Sequence, residues 1–255
     1  MDEAGHTIES TGFLRELFLT DEDALRCFGS LSKLARHING PVVLTGSIAV
    51  GWHLLRGGRP PRKRSLNDID TVAVNGMSST RPSLVRDFLI NHFHPERERG
   101  KVLLQLVDEE HGTRTEIFTP GSESLNERLV DCDVGGLSCR AVSAEDALAK
   151  LLSITHSAIE GRPVDPKYVE QFDQLSAVAD VAAAGKVWQD YRKENQRADL
   201  EEAAQAVKTK LATDPALLRA TEYCQDVDFV CAWCKESESF PIANRGRVYE
   251  VLGYV

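Results

Sequence analysis

Leu44-Thr45-Gly46-Ser47-Ile48-Ala49 and, further on, Asn67-Asp68-Ile69-Asp70-Thr71-Val72 decide how this chain is read. Ahead of the first stretch, 41–44 is a short apolar run, a buried-strand pattern. After it, 48–55 carries helical spacing, so Gly46-Ser47 sits at a strand-to-helix junction. Such a junction leaves free N–H groups at the helix start. Glycine there permits close approach of an anion, and the serine hydroxyl adds a donor. In the second stretch, 69–74 reads as a strand. Residues two apart on a strand share a face, which puts Asp68 and Asp70 side by side. Two carboxylates so placed repel unless a cation lies between them, and hard oxygen ligands near phosphate favour Mg²⁺. A phosphate cradle beside a dicarboxylate is equipment for phosphoryl or nucleotidyl transfer.

Outward from this pair, 102–107 and 113–118 flank Asp108-Glu109-Glu110-His111-Gly112 and predict a β-hairpin. Its second strand carries Glu116 amid apolar neighbours, where a carboxylate needs a partner. Glu116 is therefore the third candidate, as a metal ligand or as the base toward an acceptor hydroxyl. Residues 83–94 read as a helix and 138–142 as a further strand. Upstream, 7–39 looks helical: Phe13, Leu14, Leu17 and Phe18 form an apolar face, and Asp21 and Asp23 are the expected caps of a helix over 24–37. From Ser143 the pattern turns helical, with Glu145 and Asp146 in a first turn and further helices over 168–184, 187–212 and 215–234. The tail, 240–255, is expected to pack back as a strand or irregular arm. The fold class that follows is α+β. A small mixed-sheet core with N-terminal helices spans 1–142, and a helical C-terminal part spans 143–255.

Composition excludes several function classes. The chain has 255 residues and 28.2 kDa, enough for one or two domains without a disulfide or structural metal. Its formal net charge of −9 argues against a general nucleic-acid coat. No apolar run reaches membrane-spanning length, and the acidic start Met1-Asp2-Glu3 is unlike a signal peptide. Six cysteines, unevenly spread, read as reduced thiols, so a cytoplasmic location is expected.

Gly46-Ser47, then Asp68-x-Asp70, then a strand carboxylate resembles the DNA polymerase β-type nucleotidyltransferase superfamily. Within it, the chain is most similar to minimal nucleotidyltransferases and the abortive-infection toxin group, over about residues 40–175. Arg64 stands four before Asp68, where the toxin branch often has Arg. Lys150 resembles that branch's phosphate-contacting Lys. Asp173 resembles the acid that partners it, with Asp165 as a competing choice. The resemblance implies a two-ion Mg²⁺ site on Asp68, Asp70 and Glu116, with a nucleoside triphosphate as substrate. Gly46, Ser47, Arg64 and Lys150 would serve its phosphates. It leaves the acceptor open. A toxin-type enzyme would modify tRNA or another cellular target and have a cognate antitoxin protein. A small-molecule enzyme would adenylylate an antibiotic, and a degenerate member would bind nucleotide without transfer. Two departures bear on this: Leu66 replaces the usual Thr two before the first Asp, and Glu116 stands where Asp is commoner.

A third departure is the long gap before Asp68, whose segment 56–64 holds five bases and no acid. It reads either as a solvated connection or as a contact for triphosphate or RNA backbone. Cys231-Ala232-Trp233-Cys234 with Cys224 is a weak zinc signal, more in keeping with a buried helix face. His53 reads as a core or rim residue, and Glu123 and Glu127 as a solvated face.

Overall fold

The computed structural model describes residues 12–94, 98–220, 242–243 and 245–254. Seven strands form one mixed sheet: β1 (Val42–Leu44), β2 (Ile69–Val72), β3 (Leu89–Phe93), β4 (Val102–Asp108), β5 (Thr113–Phe118), β6 (Val130–Val134) and β7 (Leu137–Ala141). Their order is β3-β4-β5-β2-β1-β7-β6. The pairs β1–β7 and β2–β5 are parallel, and the other neighbours are antiparallel. The helices are α1 (Gly12–Leu17), α2 (Asp21–Ala35), α3 (Gly46–Arg56), α4 (Ala144–Thr155), α5 (Pro166–Leu175), α6 (Val181–Tyr191), α7 (Leu200–Thr213) and α8 (Arg245–Leu252). The α+β class holds.

β1 is wholly buried, as its apolar run requires, and it feeds directly into α3 at Gly46. One hydrophobic cluster joins Leu44 and Ile69 of the sheet to Leu148, Leu152, Phe172 and Trp188 of the later helices. Trp188 is fully buried and satisfies its indole by donating to the Arg197 carbonyl at 3.0 Å. A small second cluster, centred on Val107 and Val248, holds α8 against the β4–β5 hairpin. Among the described residues, no helix is long and apolar enough to cross a membrane.

Several expectations change. Residues 83–94 are not a helix: a 3-10 turn over Pro82–Arg86 leads into β3. A bulge explains the misreading. Ile90 pairs with Leu106 and Phe93 with Leu104, so two residues three apart share the buried face. That spacing imitates a helix. The α2 cap is Thr20, whose hydroxyl accepts from the Asp23 N–H at 3.0 Å, while Asp21 and Asp23 lie in the first turn. The 168–184 helix breaks after Leu175 and restarts behind the cap Asp180. The 187–212 helix likewise ends at Tyr191 and restarts behind Asp199. The tail contains α8, with Ile242 bridged to Ile90. β6 is additional. Its signal was Gly135-Gly136, both at positive φ, which turns β6 into β7. Most of the expected 215–234 helix lies outside the described residues, as do Cys224, Cys231 and Cys234. Cys27, Cys132 and Cys139 are buried free thiols, and burial pushes the last two up to about 12.

Candidate active site

Strand register assembles the acids. β2 runs parallel to β5 with Asp70 opposite Glu116 and Ile69 opposite Thr115. Alternation then places Asp68 and Asp70 of one strand segment and Arg114 and Glu116 of the other on the same face. One ligand oxygen each from Asp68, Asp70 and Glu116 lies within 4.8 Å of the others. The Arg114 guanidinium, 3% exposed, sits between two of them, at 3.3 Å from Asp68 and 3.7 Å from Glu116. Gln105 on β4 donates to Glu116 at 2.7 Å and accepts in turn from Asn91.

Asp70 differs from its neighbours. Among the described residues, none donates a hydrogen bond to its carboxylate. Burial and then the charges of Asp68 and Glu116 push it up to about 8, against weaker pulls from Lys150 and Lys167. It also lies hard against the start of α3. Gly46 adopts φ 61°, and a Cβ there would overlap the Asp70 carboxylate. Glycine is required on both counts. The Thr45 N–H fixes this approach by donating to the Asp70 carbonyl at 2.9 Å. Thr45 gives no side-chain cap to α3, so the first-turn N–H groups have no local side-chain acceptor.

A cavity of about 320 Å³ opens over these groups. Its floor includes Asp68, Asp70 and Glu116, and one wall is Gly46 and Ser47. Lys150 of α4 with Lys167, Tyr168 and Gln171 of α5 complete the lining. Lys150 lies 4.4 Å over the Phe118 ring. Burial lowers its pKa, while Asp70 and Glu116 oppose that. Gln171 donates to the Ser47 hydroxyl oxygen at 3.0 Å, leaving the serine proton to point elsewhere.

The structure does not bring every expected residue here. Asp173 pairs with Lys208 at 2.8 Å and does not reach Lys150. The reason is helical phase. Lys167 and Gln171 are four apart and face the cavity, whereas Asp173 is two further on and turns away. Asp165 caps α5 through the Lys167 N–H at 2.9 Å. Arg64 pairs with Glu170 at 2.8 Å and lines a neighbouring cavity. His53 donates to the Val142 carbonyl at 2.8 Å and pins α3 to the start of α4. Leu66 packs on the core, and its N–H donates to Asp23 at 3.3 Å. Glu123 and Glu127 are exposed.

Sequence reasoning missed Arg114, Gln105, Lys167, Tyr168 and Gln171. Arg114 was within reach, because the rule that pairs Asp68 with Asp70 also pairs Arg114 with Glu116. Gln105 depends on hairpin register, and the α5 residues on tertiary packing.

Asp108, Glu110 and His111 form a second acidic group. Asp108 is fully buried and accepts from Ser30 at 2.6 Å, Lys33 at 2.8 Å, His111 at 2.8 Å and the Glu110 N–H at 3.1 Å. Burial alone would raise its pKa, but the hydrogen bonds from Lys33, Ser30 and His111 outweigh that and hold it below the usual carboxylate value. The Lys33 ammonium also reaches Glu110 at 3.2 Å. The Lys33 ammonium thus already supplies a cation to this group.

No family model matches the chain, and no curated protein does. Among solved structures it is similar to an antigenic nucleotidyltransferase-like protein from Paracoccidioides brasiliensis, at 14% identity and a TM-score of 0.39. The match covers 87% of this chain and 99% of that one. A likeness at this score says nothing about the site. What stands on the geometry is a three-carboxylate group that could hold a metal ion, beside a helix start, in an α+β fold.

Proposed function

We propose that the chain is a Mg²⁺-dependent nucleotidyltransferase, moving a nucleoside monophosphate from a nucleoside triphosphate to an acceptor hydroxyl. The observation that carries this reading is the convergence of Asp68, Asp70 and Glu116 within 4.8 Å at the uncapped start of α3. The donor set suits a hard divalent cation, having three carboxylate oxygens, one of them (Asp70) with no hydrogen-bond donor among the described residues. Asp68, Asp70 and Glu116 would hold it. When bound, the cation supplies charge neutralisation and Lewis-acid polarisation of phosphate oxygens.

The remaining roles belong to the chain. The first-turn N–H groups of α3 and the outward Ser47 proton donate to phosphate oxygens of the leaving group. Lys150 and Lys167, which line the same cavity, screen the triphosphate charge. Glu116, oriented by Gln105, accepts the proton of the acceptor hydroxyl. The acceptor oxygen bonds to the α-phosphorus, the bond from that phosphorus to the bridging oxygen breaks, and pyrophosphate leaves.

Arg114 favours a second reading, nucleotide binding without transfer, since an internal cation already offsets part of the acid charge. Incubation with labelled triphosphates, Mg²⁺ and total tRNA separates the two. The proposal expects label on the acceptor, lost with chelator and in Asp70→Asn. Unchanged incorporation in Asp70→Asn sinks it, and nucleotide binding with no transfer to any acceptor supports the second reading.

A further inference from the structure

Two metal ions about 3.5–4 Å apart commonly clamp the attacking and leaving oxygens of an in-line displacement at phosphorus. The acid group of this chain already contains a cation of its own. Arg114 stands two before Glu116 on β5 and so shares its face. Its guanidinium donates to Asp68 Oδ2 at 3.3 Å and lies 3.7 Å from Glu116 Oε1. The side chain is almost wholly enclosed by the protein. A guanidinium keeps its proton at any working pH, so this charge is permanent.

The carboxylate oxygens divide accordingly. Asp68 gives Oδ2 to Arg114. Glu116 gives Oε1 to Gln105, and the same oxygen faces Arg114. Asp70 accepts no hydrogen bond among the described residues. The cavity lining as a whole sets three acids (Asp68, Asp70, Glu116) against three cations (Arg114, Lys150, Lys167), so net charge does not decide how many ions enter. Direct contact does, and Arg114 contacts two of the acids.

We propose that Arg114 stands in for a second metal ion, so that the acid group takes a single divalent cation; the inference rests on the transferase reading above. A second ion would share the Asp68 and Glu116 oxygens with a buried guanidinium, at short range and with like charge. The two-ion site expected from the sequence thus becomes a site of one ion and one arginine. Arg114 is a positioning residue here: it holds Asp68, and with Gln105 it holds Glu116 in its charged form.

The test counts ions rather than turnovers. The protein, with a non-hydrolysable ATP analogue, is titrated with Mn²⁺ against a protein-free control. Electron paramagnetic resonance reads the free ion and the spectrum of the bound ion. Two Mn²⁺ held at the separation of a two-metal site are spin-coupled, whereas one keeps the spectrum of an isolated ion. Wild type should bind one Mn²⁺ per chain, uncoupled. Arg114→Gln, which removes the charge, should bind two, coupled. Arg114→Lys, which keeps a cation, should stay at one. Circular dichroism checks that the variants fold, and the wild-type count stands whether or not they do. Two coupled ions in wild type, or a single ion in a folded Arg114→Gln, overturn the inference and leave the transferase reading in place. A wild type that takes up no Mn²⁺ with the analogue overturns the transferase reading instead, which keeps the two failures apart.

Discussion

Two groups of carboxylates lie on this sheet, and they are opposites. Around Asp108, every need of a buried anion is met from within the chain: Lys33 supplies the charge, and Ser30, His111 and the Glu110 N–H supply hydrogen bonds. The carboxylate is held ionised below its ordinary range. Around Asp70, three carboxylates face Arg114, and Asp70 itself is pushed up to about 8 by burial and by Asp68 and Glu116. The first group is completed by donors from within the chain, whereas in the second Asp70 has no hydrogen-bond donor among the described residues, and the proposed cation site rests on that difference. Proximity of acids alone does not distinguish them. The partners do.

That contrast can be broken by substitution. The largest effect expected is on chemistry: Asp70→Asn should lower nucleotide transfer by about a thousandfold or more, since the ligand set loses its central charge. Steady-state incorporation of labelled nucleotide reads this. The mirror change, Asp108→Asn, should act on stability. It removes the buried partner of Lys33 and leaves that charge only the exposed Glu110, a loss of about 1–3 kcal/mol in denaturant unfolding. Gly46→Ala comes next. It forces an alanine to φ 61° and its Cβ into the Asp70 carboxylate, which should cost roughly 1–3 kcal/mol and weaken metal binding.

The smallest effect has the most telling sign. Asp70 resists ionising in the folded chain, so its charge costs stability from the ordinary value of 3.8 upward, and the cost is complete above about 8. Metal-free Asp70→Asn should therefore melt higher than wild type, by about 2–4 °C per kcal/mol relieved. The gap should widen as pH rises between those limits. For Asp108 the direction reverses. Its stabilisation is present above the ordinary value of 3.8 and is lost as pH falls through the lower value it holds when folded.

Part of this was legible in the residues. Gly46-Ser47 and the two-residue spacing of Asp68 and Asp70 are local patterns, and local patterns map onto strand and helix geometry directly. Glu116 stood out because a carboxylate on an apolar strand needs a reason. Other features depend on contacts distant in sequence. The pairing of Asp70 with Glu116 is a register between strands 46 residues apart in numbering, 116 − 70. The turn of Asp173 away from Lys150 follows from how α5 seats on Ser47 through Gln171. The bulge in β3 reversed a periodicity argument outright, because the extra residue at Asn91 gives a strand the spacing of a helix.

The central claim is that the Asp68, Asp70 and Glu116 group takes a divalent cation and the Asp108 group does not. The most direct measurement is a titration with Mn²⁺, as a paramagnetic substitute for Mg²⁺, reading free ion by electron paramagnetic resonance in the presence of ATP. Wild type and Glu110→Gln should bind Mn²⁺ alike, whereas Asp70→Asn should bind about tenfold or more weakly. Equal binding by wild type and Asp70→Asn, with the loss found in Glu110→Gln, would contradict the account.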